Sequence, residues 1–284
     1  MKSTVYLHTN TTKMSTSDIM PTADIMSTSN VIKILIILVL LYMLLDSFGL
    51  FGAKKYIELF TNEKPKIAVL LRGHIRKSLD NPKLIEFLRL LETKFNIDLY
   101  LSTWSVSEAK KSYRALEVPR PVTLDELTKY FNGQNIKNIS IHNSEDVKLP
   151  GRLDGNLTPK CNMPIQGWKN FLWIINNGLS HIPINIHYDF VFSTRFDLFE
   201  IIQTTQHNIN PNSILEWMTQ QNKPKTIVFF KDTEFTGVDN LFLGDLLFLN
   251  NFSSKLLYKL DEILQQYPEE NHQEYIFYRE AKKH

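Results

Sequence analysis

One cysteine, Cys161, stands among 284 residues, so the chain forms no internal disulfide and no cysteine-based zinc site. Its simplest role is that of a small buried apolar residue. Excess charge is equally scarce. Lys and Arg number 32 against 30 Asp and Glu, a formal net of +2, and from Lys66 onward the counts are 26 and 25. A nucleic-acid binder carries a stronger basic excess or a basic stripe, so no nucleic-acid partner is expected. The 10 Gly and 12 Pro are too few for a collagen-like or low-complexity chain, and 43% hydrophobic with 22% charged residues is ordinary globular composition. No Walker loop, no G-x-G-x-x-G turn and no kinase signature is found, and Gly73 precedes His74 where histidine phosphatases have Arg-His-Gly.

Hydrophobicity is distributed unevenly. Twelve of the first thirty residues are Ser or Thr, and a six-residue unit runs three times from Met14, Met20 and Met26. Residues 1–30 bury too little to order themselves and read as a flexible tail. Residues 31–53 are almost wholly apolar, with Lys33 near one end and Asp46 near the other. About 20 such residues span a bilayer core, so this segment is expected to be a single transmembrane anchor, followed by a stem at 54–64. A signal peptide fits poorly, because the apolar run begins some thirty residues in and no clear small-x-small cleavage site follows. Lys54 and Lys55 favour a cytosolic C-terminal domain by the positive-inside rule, while sequons at Asn138, Asn156 and Asn251 would serve on the lumenal side. The side of the membrane stays open.

From residue 65 to 284 the pattern is that of one α/β domain. The unbroken apolar run from Lys66 to Leu71 suggests a strand covered on both faces. Asn81 and Pro82 open a helix carrying Leu84, Phe87, Leu88, Leu91 and Phe95, and residues 97–102 form the next strand, which makes a βαβ unit. A capping box at Thr123 and Glu126 opens another helix, residues 136–142 read as a strand, 143–164 as a loop, and 166–180 as a helix. Residues 188–199 are expected to be a strand, 212–221 a helix and 226–230 a buried strand, with a mostly helical C-terminus broken near Pro268. This alternation predicts an open, mostly parallel sheet with helices on both faces.

Ligands of such sheets gather outside the carboxyl ends of the strands. Two segments fall there. Arg72, Gly73, His74 and Arg76 follow the first strand, where Gly lets the backbone approach closely and two Arg can fork onto phosphate oxygens; a solvated turn is the competing explanation. In Tyr188-Asp-Phe-Val-Phe-Ser-Thr-Arg-Phe-Asp197, strand alternation puts Phe190, Phe192 and Phe196 on one face and Asp189, Ser193, Arg195 and Asp197 on the other. Asp197 is then placed either to bind Mg²⁺ or Mn²⁺ or to form a structural ion pair with Arg195. Further on, Asp239 and Asp245, and Glu269, His272 and Glu274, offer a general base or another metal ligand; Asp245 serves equally as a helix N-cap.

Taken in order, Ile67-Ala-Val-Leu-Leu-Arg-Gly-His-Ile-Arg76, Ile97-Asp-Leu-Tyr-Leu-Ser-Thr-Trp104, Gly167-Trp168-Lys169, the 188–197 segment, Gly237-Val-Asp239-Asn240 and the final Glu/His cluster resemble a family of membrane-anchored glycosyltransferases of giant DNA viruses and microbes, with a GT-A-like fold. The resemblance covers nearly all of residues 65–280. It implies that Arg195-Phe-Asp197 stands where GT-A enzymes carry Asp-x-Asp, with Arg195 replacing the first Asp. It implies a nucleotide-sugar donor, a divalent cation (Mn²⁺ or Mg²⁺) for which only Asp197 is carried over as a ligand, and a diphosphate beside Arg72, Gly73, His74, Arg76 and Arg195; Asp239 is the candidate base, and by residue type His272 is a candidate second metal ligand and Glu274 a candidate catalytic acid. The acceptor would be a glycan, lipid or protein at a membrane. The missing first Asp equally suits a non-catalytic anchored binding or scaffold protein of the same fold.

Overall fold

The computed structural model describes residues 28–47, 63–108, 118–200, 210–230 and 239–283, with side chains of the first stretch limited to 32–41. Residues 1–63 and 64–284 are two separate units. In the first, Thr28–Ser47 is a 20-residue helix, α1, and every residue from 34 to 41 is an exposed large hydrophobic. Among the described residues no helix is long and apolar enough to cross a membrane. Most of the expected tail and stem, and Gly237 of the later segment, lie outside the described residues.

In the second unit Lys66–Gly73 (β1) is the centre of the sheet. Lys83–Glu92 (α2) leads to Asn96–Trp104 (β2), Leu124–Tyr130 (α3) to Ile136–His142 (β3), and Ile165–Ser180 (α4) to Phe190–Arg195 (β4). Pro211–Thr219 (α5) and Val228–Phe229 (β5) follow, then Leu241–Gly244 (β6) and the helices Leu246–Tyr258 (α6), Leu260–Leu264 (α7) and Gln273–Lys282 (α8). The six strands lie in the order β3-β2-β1-β4-β6-β5. The first four are parallel, and β6 runs antiparallel to both β4 and β5.

The two-sided burial predicted for β1 is met in full, because successive side chains point to opposite faces. Val69 and Leu71 pack with Phe87, Leu88 and Leu91 of α2 and with Ile214 and Met218 of α5. Ala68 and Leu70 pack with Leu172, Ile175 and Leu179 of α4 and with residues of α6 and α8. The fold is therefore an α/β domain with a mostly parallel mixed sheet and helices on both faces. Gly178 is what lets α4 lie close to the sheet: a Cβ there would sit 2.7 Å from Leu70 Cδ1 and 3.1 Å from Ser102 Cβ.

Some expectations change and others are narrowed. The strand placed at 188–199 stops at Arg195, and Phe196 to Glu200 turn away, although Phe196 still joins Phe190 and Phe192 in one core layer. The strand at 226–230 shrinks to Val228–Phe229, which among the described residues pairs with the four-residue β6, a strand the sequence pattern did not separate from its aromatic surroundings. Asp245 is an N-cap: its Oδ1 accepts from the Phe248 N–H at 2.9 Å. The Thr123 cap is present, but the Glu126 carboxylate turns to Arg120 Nη1, 2.6 Å away.

Candidate functional site

The strand order fixes where a ligand site belongs. From β1 the chain moves outward through β2 to β3, and then crosses back over β1 to β4, so the connections diverge between the carboxyl ends of β1 and β4. That crevice is the switch point of an open α/β sheet. Arg72 and Arg195 are register partners there. Gly73 ends β1 with φ +92°, a backbone that a residue with Cβ takes only under strain, and turns the chain over the crevice. Arg76 adopts φ +46° as an L-residue, held by its N–H donating to Ser107 O at 2.9 Å.

Asp197 accepts from both sides. Arg195 Nε donates to Oδ1 at 2.7 Å and Nη2 to Oδ2 at 2.8 Å, a bidentate fork, while Arg76 Nη1 pairs with Oδ2. Arg76 Nε also donates to Glu108 Oε2 at 2.5 Å. Asp197 is 1% exposed and Glu108 4%, whereas the side chains of Arg76 and Arg195 are each 18% exposed. The acids thus lie buried, while the two arginine side chains are partly exposed. Arg195 Nη1 donates further to Asn240 Oδ1 at 3.3 Å.

Arg72 is different. It is fully buried, with Nε donating to Ser193 Oγ at 2.9 Å and Nη2 to the Asp239 backbone carbonyl at 2.5 Å. Its guanidinium carbon lies 5.1 Å from the Phe171 ring centre and 5.2 Å from that of Phe242. Nη1 has no hydrogen-bond partner among the described residues. Burial lowers its pKa to about 9, with the Asp239 charge opposing and Arg195 adding to the fall. Asp239 itself is buried. It reaches this edge because β6 is reversed, which brings the segment entering β6 to the carboxyl end of β4.

His74 is half-buried, with Nδ1 3.1 Å from Val106 O and its ring 6.1 Å from that of Trp104, which stacks on Trp173. Burial lowers its pKa to about 4, the Val106 carbonyl and Glu108 working against the shift and Arg76 and Arg195 with it.

The structure therefore brings Arg72, Gly73, His74, Arg76, Arg195, Asp197 and Asp239 together at one crevice. The C-terminal cluster belongs elsewhere. His272, at the start of α8, packs its ring against Tyr275, and Glu274 helps burial raise the pKa of the Cys161 thiol. Asp197 and His272 share no contact, and among the described residues no group of three or more His, Cys, Asp or Glu is arranged to hold a metal ion. Glu108, Ser193 and Asn240 complete the site. Glu108 lies four residues past the end of β2, where the carboxyl-end rule would have found it.

An α/β domain with a mixed sheet and an arginine-rich switch point is thus the class that fold and site define. Compared with known proteins, the chain matches no family model and no curated sequence.

Proposed function

We propose that the chain is a GT-A-like glycosyltransferase, moving a sugar from a nucleotide-sugar donor to a glycan, lipid-linked or protein acceptor. The observation that carries this reading is the pair Arg76 and Arg195, partly exposed side chains paired to a buried acid at the β1/β4 switch point. Phosphate oxygens accept the same forked hydrogen bonds as a carboxylate, so a diphosphate competes with Asp197 and Glu108 for the N–H groups of this pair. Arg72 lies beneath the site and supports it from the core.

In the transfer, the bond between the sugar's anomeric carbon and the diphosphate oxygen breaks, and its electron pair stays on the diphosphate. Arg76 and Arg195 neutralise that charge where it develops. The acceptor hydroxyl bonds to the anomeric carbon, and its proton passes to the Asp239 carboxylate. A divalent ion does not fit the residues as arranged: both oxygens of Asp197 already accept from guanidinium groups, so an ion would have to displace them. No step is routed through one.

The apolar segment 31–53 is proposed as a single-pass anchor. Support comes from α1, which is apolar all round over residues 34–41 with none of them buried, a pattern that suits lipid. Protease protection of membranes carrying the chain assigns the side of the catalytic domain.

The test is thermal shift of the full-length chain in mild detergent with nucleoside diphosphates and their sugars, in Mn²⁺, Mg²⁺ or chelator. Ligand at 100 times its Kd adds about 2.7 kcal/mol of stability. A shift that survives chelator and is lost in Arg76→Ala supports the reading. A folded protein that answers no donor leaves the anchored scaffold, which is favoured by one observation: among the described residues Arg76 and Arg195 are already paired with Asp197, and Arg76 with Glu108.

A further inference from the structure

His74 does not behave as a third cation of the arginine site. The atom facing its Nδ1 is the Val106 carbonyl oxygen, at 3.1 Å, and a carbonyl only accepts. Nδ1 therefore carries the hydrogen. In the neutral ring the other nitrogen is then a bare acceptor. Nε2 makes no hydrogen bond among the described residues, and the ring is half-buried. The positive charges of Arg76 and Arg195 act on the same ring, and with burial they keep it neutral, its pKa lowered to about 4. An acceptor in that place cannot hold the diphosphate oxygens of a sugar nucleotide, which are fully ionised at neutral pH and only accept.

From this juxtaposition we infer that His74 Nε2 reads a sugar hydroxyl of the ligand, so that the crevice selects sugar-bearing diphosphates over bare ones. Three groups support that ligand class. Arg76 and Arg195 supply donors for the diphosphate. His74 supplies an acceptor two residues from Arg76, for a hydroxyl attached close to the phosphates. Trp173, half-buried and stacked on Trp104 at 5.6 Å, continues the His74–Trp104 contact as an aromatic surface beside that hydroxyl. The inference rests on the proposed diphosphate site and refines it. The hydroxyl belongs either to the nucleoside ribose or to the transferred sugar.

The experiment is calorimetric titration of the full-length chain, as wild type, His74→Phe and His74→Gln, with three probes: inorganic diphosphate, uridine diphosphate and uridine diphosphate glucose, repeated with the guanosine pair. In His74→Phe the sugar-bearing probes are expected to lose about fivefold in affinity, the worth of one hydrogen bond, while inorganic diphosphate is unchanged. His74→Gln, whose side-chain oxygen can replace Nε2, recovers part of the loss. A loss shared by uridine diphosphate and its glucose conjugate assigns the ribose; a loss confined to the conjugate assigns the transferred sugar. If His74→Phe weakens inorganic diphosphate as much as the others, or weakens none, the inference is overturned while the diphosphate site stands. If wild type binds no probe, the site itself falls and the inference with it. Circular dichroism of each variant confirms that it is folded.

Discussion

Arg72 and Arg195 face each other across parallel neighbours β1 and β4, yet one is sealed in the core and the other reaches water. Two like charges in register repel unless each is compensated locally. Arg195 closes on Asp197 two residues away, and Arg72 closes on Ser193 and on the main chain of Asp239. The buried arginine is thus an architectural tie among β1, β4 and the start of β6, and the partly exposed one is tied to Asp197 and Asn240 at the crevice.

Arg72→Ala leaves the Asp239 carbonyl and Ser193 hydroxyl without their donor and opens a void between Phe171 and Phe242. We expect it to cost about 3 kcal/mol in urea unfolding, within the range for breaking a buried charged contact. Arg72→Met fills the same space without a charge and is expected to cost clearly less. An equal loss in both would mean that packing, not the charge-assisted bonds, is what matters.

Asp197→Asn separates two ways of holding a diphosphate. With the carboxylate gone, Arg76 and Arg195 lose their competitor, so inorganic diphosphate should bind several-fold tighter, at a cost of about 1–3 kcal/mol in stability. If a cation on Asp197 were the bridge, the same change would abolish binding and chelator would do likewise in wild type. The sign of the affinity change decides.

His74 makes stability depend on pH. Its folded pKa, about 4, lies below the ordinary value of 6.5, so the unfolded chain binds the proton more readily between those limits. The neutral ring's contribution is fully present above pH 6.5 and declines as pH falls toward 4. In unfolding curves across that window, His74→Gln should lose less stability on acidification than wild type. Parallel curves would remove His74 from the acid response.

Gly178→Ala tests how tightly α4 lies on the sheet. Alanine is the better helix former by about 1 kcal/mol. Its methyl group, however, meets Leu70 and Ser102, both buried. Overpacking of this kind costs about 1–3 kcal/mol, so a net loss of stability is expected. A gain would mean that Leu70 moves aside freely.

The parts of the fold that were legible in the sequence are those where local pattern and tertiary burial agree. β1 reads as a doubly covered strand because all its central residues are apolar, and the alternation from Phe190 to Asp197 gives the two faces of β4 correctly even though the strand ends at Arg195. β6 was not legible: four residues, Leu241–Gly244, show no period of their own and become a strand only by pairing with β4. Asp197 looked like an open ligand because Arg76, which closes its second oxygen, is 121 residues away in the chain. His272 and Glu274 resembled site residues by type alone, while the contacts that placed α8 against the Cys161 neighbourhood were carried by apolar side chains such as Phe277.

The bond from Arg72 to residue 239 ends on a backbone carbonyl, an atom every amino acid supplies. Whatever side chain stands at 239, the tie to the core can persist, so the position is buffered: its chemistry can be exchanged without redrawing the scaffold around it. Under the proposed mechanism, exchanging the side chain at 239 would remove the base while the backbone tie to Arg72 is kept.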